Sequence, residues 1–190
     1  MDYIKKIRQY IGHDPMLMCA CGCLIFNERG QVLLQKRSDD NLWGNPGGSM
    51  DIGETIYDTI IREIKEETNF DIEQKDLKIF NIYSGEEQHH IYPNGDEMYF
   101  VNIIFETHKV KGELKKDAES YDLKFFDINN LPTNVTKPFE SVRRDLLNKI
   151  ISPISWDGGS NPSTSTWAKF WLFFLYIRKP RAMRVVQKKR

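Results

Sequence analysis

Glu63, Glu66 and Glu67 stand at spacings of three and four residues, directly after Arg62 and nine residues beyond Glu54. On a helix such positions share one edge, with Glu67 nearest the apolar face. Like charges at that spacing cost about 0.2–0.5 kcal/mol a pair, and a partly buried carboxylate costs more unless it is paired. A hard divalent cation offsets both, because Mg²⁺ and Mn²⁺ take carboxylate oxygens and are held by one or two carboxylates together with substrate phosphate. These residue types at this spacing therefore suit cation-assisted chemistry on a small phosphorylated ligand.

A helix over Ile56–Thr68 has to carry the carboxylates. Ile56, Ile60 and Ile64 recur every four residues, with Tyr57 and Ile61 beside them, and make a core-facing stripe. Thr55 followed by Asp58 predicts an N-cap of the capping-box type, with Asp for the usual Glu. Asn69 stands where a helix C′ residue turns left-handed, a conformation that Asn tolerates. Upstream, Asn41-Leu-Trp-Gly-Asn-Pro-Gly-Gly48 is a loop in which Pro46 fixes one φ angle while Gly47 and Gly48 let the main chain approach a ligand. Singly, each feature has an ordinary explanation: a Glu-rich face is usually solvated, Pro-Gly-Gly makes a turn, and Arg62 can pair with Glu66 at i+4. Their fixed spacing on one loop and one helix favours a catalytic site.

Gly48-Ser-Met-Asp-Ile-Gly-Glu54, seven residues, and then Arg62-Glu63-Ile64-Lys65-Glu66-Glu67-Thr68-Asn69-Phe70 resemble the Nudix box at every defined position except the last glycine, which is Asn69. The resemblance covers roughly Leu17 to Ile151. It implies an α/β fold, the Nudix α/β/α sandwich with a mixed β-sheet between helices. It also implies Mg²⁺, with Mn²⁺ as the alternative, held by Glu63, Glu66, Glu67 and the backbone carbonyl of Gly47. Arg62 would orient Glu63 or Glu54, and Glu66 or Glu67 would orient or deprotonate water; the choice of base stays open. Glu119, in the loop entering a late strand, is the positional candidate for one more acidic ligand or base. The implied reaction is hydrolysis of the pyrophosphate bond of a nucleoside diphosphate linked to a group X. Tyr83-Ser-Gly-Glu-Glu-Gln-His-His90 lacks the residues that mark the family's subclasses, so ADP-ribose, nucleotide sugars and oxidised nucleoside triphosphates all stay open. A non-catalytic sensor of a nucleotide ligand is the alternative, disfavoured because all the box glutamates are present.

Other features set the frame. Met1–Ser152 holds 19 Lys+Arg against 26 Asp+Glu, whereas Pro153–Arg190 holds 8 against 1. An acidic catalytic part does not suit polyanionic nucleic acid, and a small-molecule nucleotide is the expected partner; a homodimer is compatible with the chain. Cys19, Cys21 and Cys23 alternate along one strand face, where free buried thiols are expected and a reducing cytoplasm with them. A short amphipathic helix over 2–11 replaces any signal peptide. Strands are expected over Leu17–Asn27, Gln31–Arg37, Leu77–Ser84, Met98–His108 and Tyr121–Asp127, a hairpin turn at Asn94-Gly95, and a helix over Pro138–Ile151. Trp43 and Tyr92 are candidate stacking platforms for a nucleobase, and His89 and His90 candidate contacts to phosphate or base. The Nudix-like domain is expected over 1–152. Residues 153–190 form a linker and an aromatic, basic tail that reads as non-native or unstructured. Its apolar run is too short to span a bilayer, and contact with a membrane surface is a lesser reading.

Overall fold

Apolar alternation along the central strands, interrupted by one amphipathic helix, dictates how the layers stack. The computed structural model describes residues 3–151. The linker and tail expected over 153–190 lie outside the described residues, as does Asp2 at the start of the first helix. In chain order the elements are α1 (Tyr3–Ile11), β1 (Met16–Ile25), β2 (Val32–Arg37), β3 (Trp43–Gly44), β4 (Gly47–Ser49), α2 (Ile56–Thr68), β5 (Lys78–Tyr83), β6 (His89–Ile91), β7 (Glu97–Thr107), β8 (Ser120–Phe126) and α3 (Lys137–Ile151). One five-stranded sheet runs β4-β1-β7-β5, with β6 also on β7, and a three-stranded sheet runs β3-β2-β8. The β1–β7 pair is parallel, with Cys21 opposite Ile103, and the other pairs are antiparallel.

Period-2 alternation divides the core between two faces. Cys21, Cys23 and Ile25 of β1, with Ile103 and Phe105 of β7, pack against Ile60 and Ile64 of α2. Leu24 and Ile104 face the other way, onto Phe139, Val142 and Leu146 of α3. The start of β1, at Met16, Met18 and Ala20, packs with Met98 and Phe100 against α1. Strand β2 serves both faces, Leu33 on the α2 side and Val32 and Leu34 on the α3 side. Ile60 and Ile64 are 0% exposed, and burial of each is worth about 1.5–3 kcal/mol. This packing fixes the rotation of α2 and so which of its glutamates meets the sheet.

The helix caps are as expected. Thr55 Oγ1 accepts from Asp58 N–H, the Asp58 carboxylate accepts from Thr55 N–H, and Asn69 is left-handed at φ 63°. The hairpin at Asn94-Gly95 forms, with Gly95 N–H donating to Tyr92 O at 2.9 Å. The α/β fold with a mixed sheet is as expected, and two expectations need correction. The Pro-Gly-Gly segment, expected as a loop, supplies β3 to the three-stranded sheet and β4 to the five-stranded one. The cysteines are all free, but Cys19 is exposed while Cys21 and Cys23 are buried, because α2 packs over only the later part of that face. Burial pushes the Cys21 thiol up to about 12. No helix among the described residues is long and apolar enough to cross a membrane.

Candidate active site

The middle of β1, the turn into β4 and the inner edge of α2 meet at one point. Glu67 is 7% exposed there. Its Oε2 accepts a hydrogen bond from Gly47 N–H at 2.7 Å and its Oε1 one from Gln35 Nε2 at 3.0 Å. Burial pushes its carboxyl up to about 8, against the downward pull of those two donors. Gly47 sits at φ 146° with its backbone against Cys21 and Gly22, and a Cβ on Gly48 would come within 2.5 Å of the Glu63 carboxylate. The glycine pair is thus required for the main chain to lie directly on the glutamates.

Arg62 organises the outer part of the site. Its Nε and Nη2 donate to Glu54 Oε1 and Oε2 at 2.7 and 3.0 Å, its Nη1 to Glu63 Oε1 at 2.7 Å and Glu66 Oε2 at 3.2 Å, and its Nη2 also to Ser49 O at 3.2 Å. These contacts engage all five guanidinium N–H groups. The Arg62 bond holds Glu54 down at about 2, aided by Asp51 N–H and the Thr59 hydroxyl. Glu63 is raised by burial, with Arg62 pulling the other way. Glu66 keeps a side chain that is 60% exposed.

Among the described residues no three acidic, His or Cys side chains already converge on a single point; Arg62 holds Glu54, Glu63 and Glu66 apart around its guanidinium. The donor set nonetheless fits a hard cation. Each carboxylate oxygen can accept more than one partner, and the burial that raises Glu63 and Glu67 is the penalty a neighbouring positive charge removes. Of the expected ligands, Gly47 meets Glu67 through its N–H, while Glu63 and Glu66 meet on Arg62 together with Glu54.

An open cleft adjoins the glycine turn. Tyr92, a candidate stacking platform, lines it, and so do Arg37, His90 and Phe100. The Arg37 guanidinium lies 5.8 Å from the Tyr92 ring centre, and His90 meets the same ring edge-on at 4.6 Å. Burial lowers the His90 pKa and favours its neutral form.

Three candidates are placed elsewhere. Trp43 is 8% exposed and packs edge-on against Phe126 in the α3-side core, because β3 turns its ring inward. His89 stacks on Tyr99 at 4.4 Å, with its Nε2 2.9 Å from Glu97 Oε1; alternation along β6 sends it to the face opposite His90. Glu119 is exposed, and its backbone carbonyl accepts from Ser38 N–H at 2.9 Å. The acid in that loop linked to the site is Asp117, which accepts from Ser120 Oγ at 2.6 Å. Gln35, Ser120, Asp117 and Arg37 went unmarked or unchosen in the sequence because they belong to no spaced motif. Only the polar Gln35 within the apolar run of β2 hinted at a buried partner.

A family model described as the NUDIX domain matches residues 16–149. An ADP-ribose pyrophosphatase of Methanocaldococcus jannaschii is 34% identical over 132 residues, which is 68% of this chain and 70% of that protein. Nudix hydrolase 5 of Arabidopsis thaliana is 25% identical over 140 residues, covering 70% of this chain and 43% of the plant protein. The crystal structure of a MutT protein from Methanosarcina mazei Go1 shares the fold at a TM-score of 0.59 and 19% identity, over 73% of this chain and 99% of that one.

Proposed function

The chain belongs to the Nudix hydrolases, and from that premise we propose that it is a pyrophosphohydrolase whose X is the terminal ribose of ADP-ribose. The observation that carries the reading is the Glu67 carboxylate, buried and tied to Gly47 N–H at 2.7 Å beside an Arg62-centred set of three further glutamates. ADP-ribose is favoured among the diphosphates by the name and extent of the archaeal relative.

Glu63, Glu66, Glu67 and the Gly47 carbonyl would hold Mg²⁺ or Mn²⁺, which supplies charge neutralisation at the diphosphate and a lowered pKa for an attacking water. The remaining work falls to the chain. Gly47 and Gly48 let the diphosphate come close to the main chain, since no side chain stands between them and the glutamates. Arg62 fixes Glu63 through a 2.7 Å bond to its Oε1. Glu66, the most exposed of the set, is free to reorient toward solvent and is the group best placed to take a proton from water. The nucleoside would lie in the adjoining cleft against Tyr92 and Phe100.

The test is release of nucleoside monophosphate from a panel of ADP-ribose, nucleotide sugars, dinucleoside polyphosphates and oxidised nucleoside triphosphates, with Mg²⁺, with Mn²⁺ and with chelator. Metal-dependent cleavage with the highest kcat/KM on ADP-ribose is expected. Higher kcat/KM on another member would rename X, and silence across the panel with retained nucleotide binding would replace the hydrolase by a sensor.

A further inference from the structure

A short polar chain runs from Glu67 through the sheet to the loop before β8. Gln35 Nε2 donates to Glu67 Oε1 at 3.0 Å and to Ser120 Oγ at 2.9 Å, and Ser120 Oγ donates to Asp117 Oδ1 at 2.6 Å. Gln35 is 3% exposed, Ser120 5% and Glu67 7%, so water does not substitute for the members. With a cation beside Glu67 both ends of the chain would be ionised carboxylates, which only accept. This dictates the protons between them. The Ser120 hydroxyl hydrogen is claimed by Asp117, which leaves the Ser120 oxygen as an acceptor toward Gln35. Gln35 must then turn its NH₂ group to Ser120, and the second hydrogen of that group falls to Glu67. The opposite amide orientation would set Gln35 Oε1 against two acceptors at about hydrogen-bond distance, at a cost of several buried unsatisfied lone pairs.

We propose that Gln35 is a positioning residue, oriented by Ser120 and Asp117, that locks the Glu67 carboxylate for cation binding and so couples the loop before β8 to the acidic site. The inference rests on the reading of Glu67 as a cation ligand. It assigns the loop's influence to Asp117, acting through two side chains, in place of a direct contact from Glu119. Partners of this kind behind a ligand change metal affinity or activity about 10–100-fold when removed.

The experiment measures Mn²⁺ binding by the loss of the free-ion paramagnetic resonance signal, together with kcat and KM for ADP-ribose, on the full chain. Gln35→Met keeps the length of the side chain and removes the donor. It is expected to weaken Mn²⁺ binding and lower kcat, each about tenfold or more, with KM changed far less. Asp117→Asn, nearer the surface and without a cavity, should weaken Mn²⁺ binding in the same sense by a smaller factor, since Asn can donate to Ser120 and free the amide to turn. Gln35→Met combined with Ser120→Ala should be no worse than Gln35→Met alone, because both act through one path. Folded Gln35→Met and Asp117→Asn proteins with unchanged Mn²⁺ affinity would overturn the proposal, as would additive effects in the double variant. Failure of the unaltered protein itself to bind Mn²⁺ would instead overturn the reading of the acidic site, and this inference with it.

Discussion

Glu67 is 7% exposed and bound on both carboxylate oxygens, whereas Glu66, one residue earlier, has a side chain 60% exposed and one contact at 3.2 Å. One residue of helix separates a group the core holds rigidly from a group that water can reach. The rotation of α2 makes the difference, since Ile60 and Ile64 anchor the stripe that carries Glu67 inward. An acidic site of this kind has a fixed half, which sets where a cation would sit, and an adaptable half, which can exchange partners as chemistry proceeds.

The comparison is broken most severely by Glu67→Gln. Turnover should fall by on the order of a thousandfold or more, equivalent to about 4 kcal/mol of barrier, with the far-ultraviolet dichroism spectrum unchanged. Glu66→Gln should leave measurably more activity than Glu67→Gln; the reverse ranking would show that burial does not distinguish their roles. Arg62→Lys keeps the charge and loses the fork that reaches three glutamates, so kcat should drop about 10–100-fold; kinetics equal to the unaltered protein would show that the five-donor web is incidental.

A pH titration of stability sharpens the outer half. Glu54 is held at about 2 when folded against an ordinary 4.5. Its contribution is therefore fully present above about 4.5 and is lost as pH falls toward 2. Glu54→Gln should lower Tm at neutral pH, by about 2 kcal/mol of stability from its charge-assisted bonds, and should flatten the fall of Tm between those values. Parallel acid profiles for the two proteins would refute the assignment. The smallest effect expected is at the cysteines: Cys23→Ser, at 0% exposure, should cost about 1–2 kcal/mol in a denaturant titration, and exposed Cys19→Ser almost nothing.

What the sequence disclosed follows the range of the interactions. The bounds of α2 and both its caps were legible because Thr55, Asp58 and Asn69 act within a few residues of the helix ends. The acidic cluster was legible because one helix and one turn carry it. Cys19 was misplaced because strand alternation tells which residues share a face and not which part of that face a helix covers, and Trp43 and His89 because the short strands β3 and β6 that orient them were not read from the sequence. Gln35, Ser120 and Asp117 come together only when β2 and β8 pair, with Gln35 opposite Leu123, and no local spacing announces that contact.

The most direct measurement is hydrolysis of ADP-ribose in isotopically labelled water, with Mg²⁺ and with chelator, followed by mass analysis of the products. The account predicts AMP and ribose 5-phosphate in equal amounts, one labelled oxygen on the phosphate of one product only, and no products in chelator or with Glu67→Gln. Products without label, or undiminished cleavage in chelator, would contradict a cation-assisted attack of water on the diphosphate.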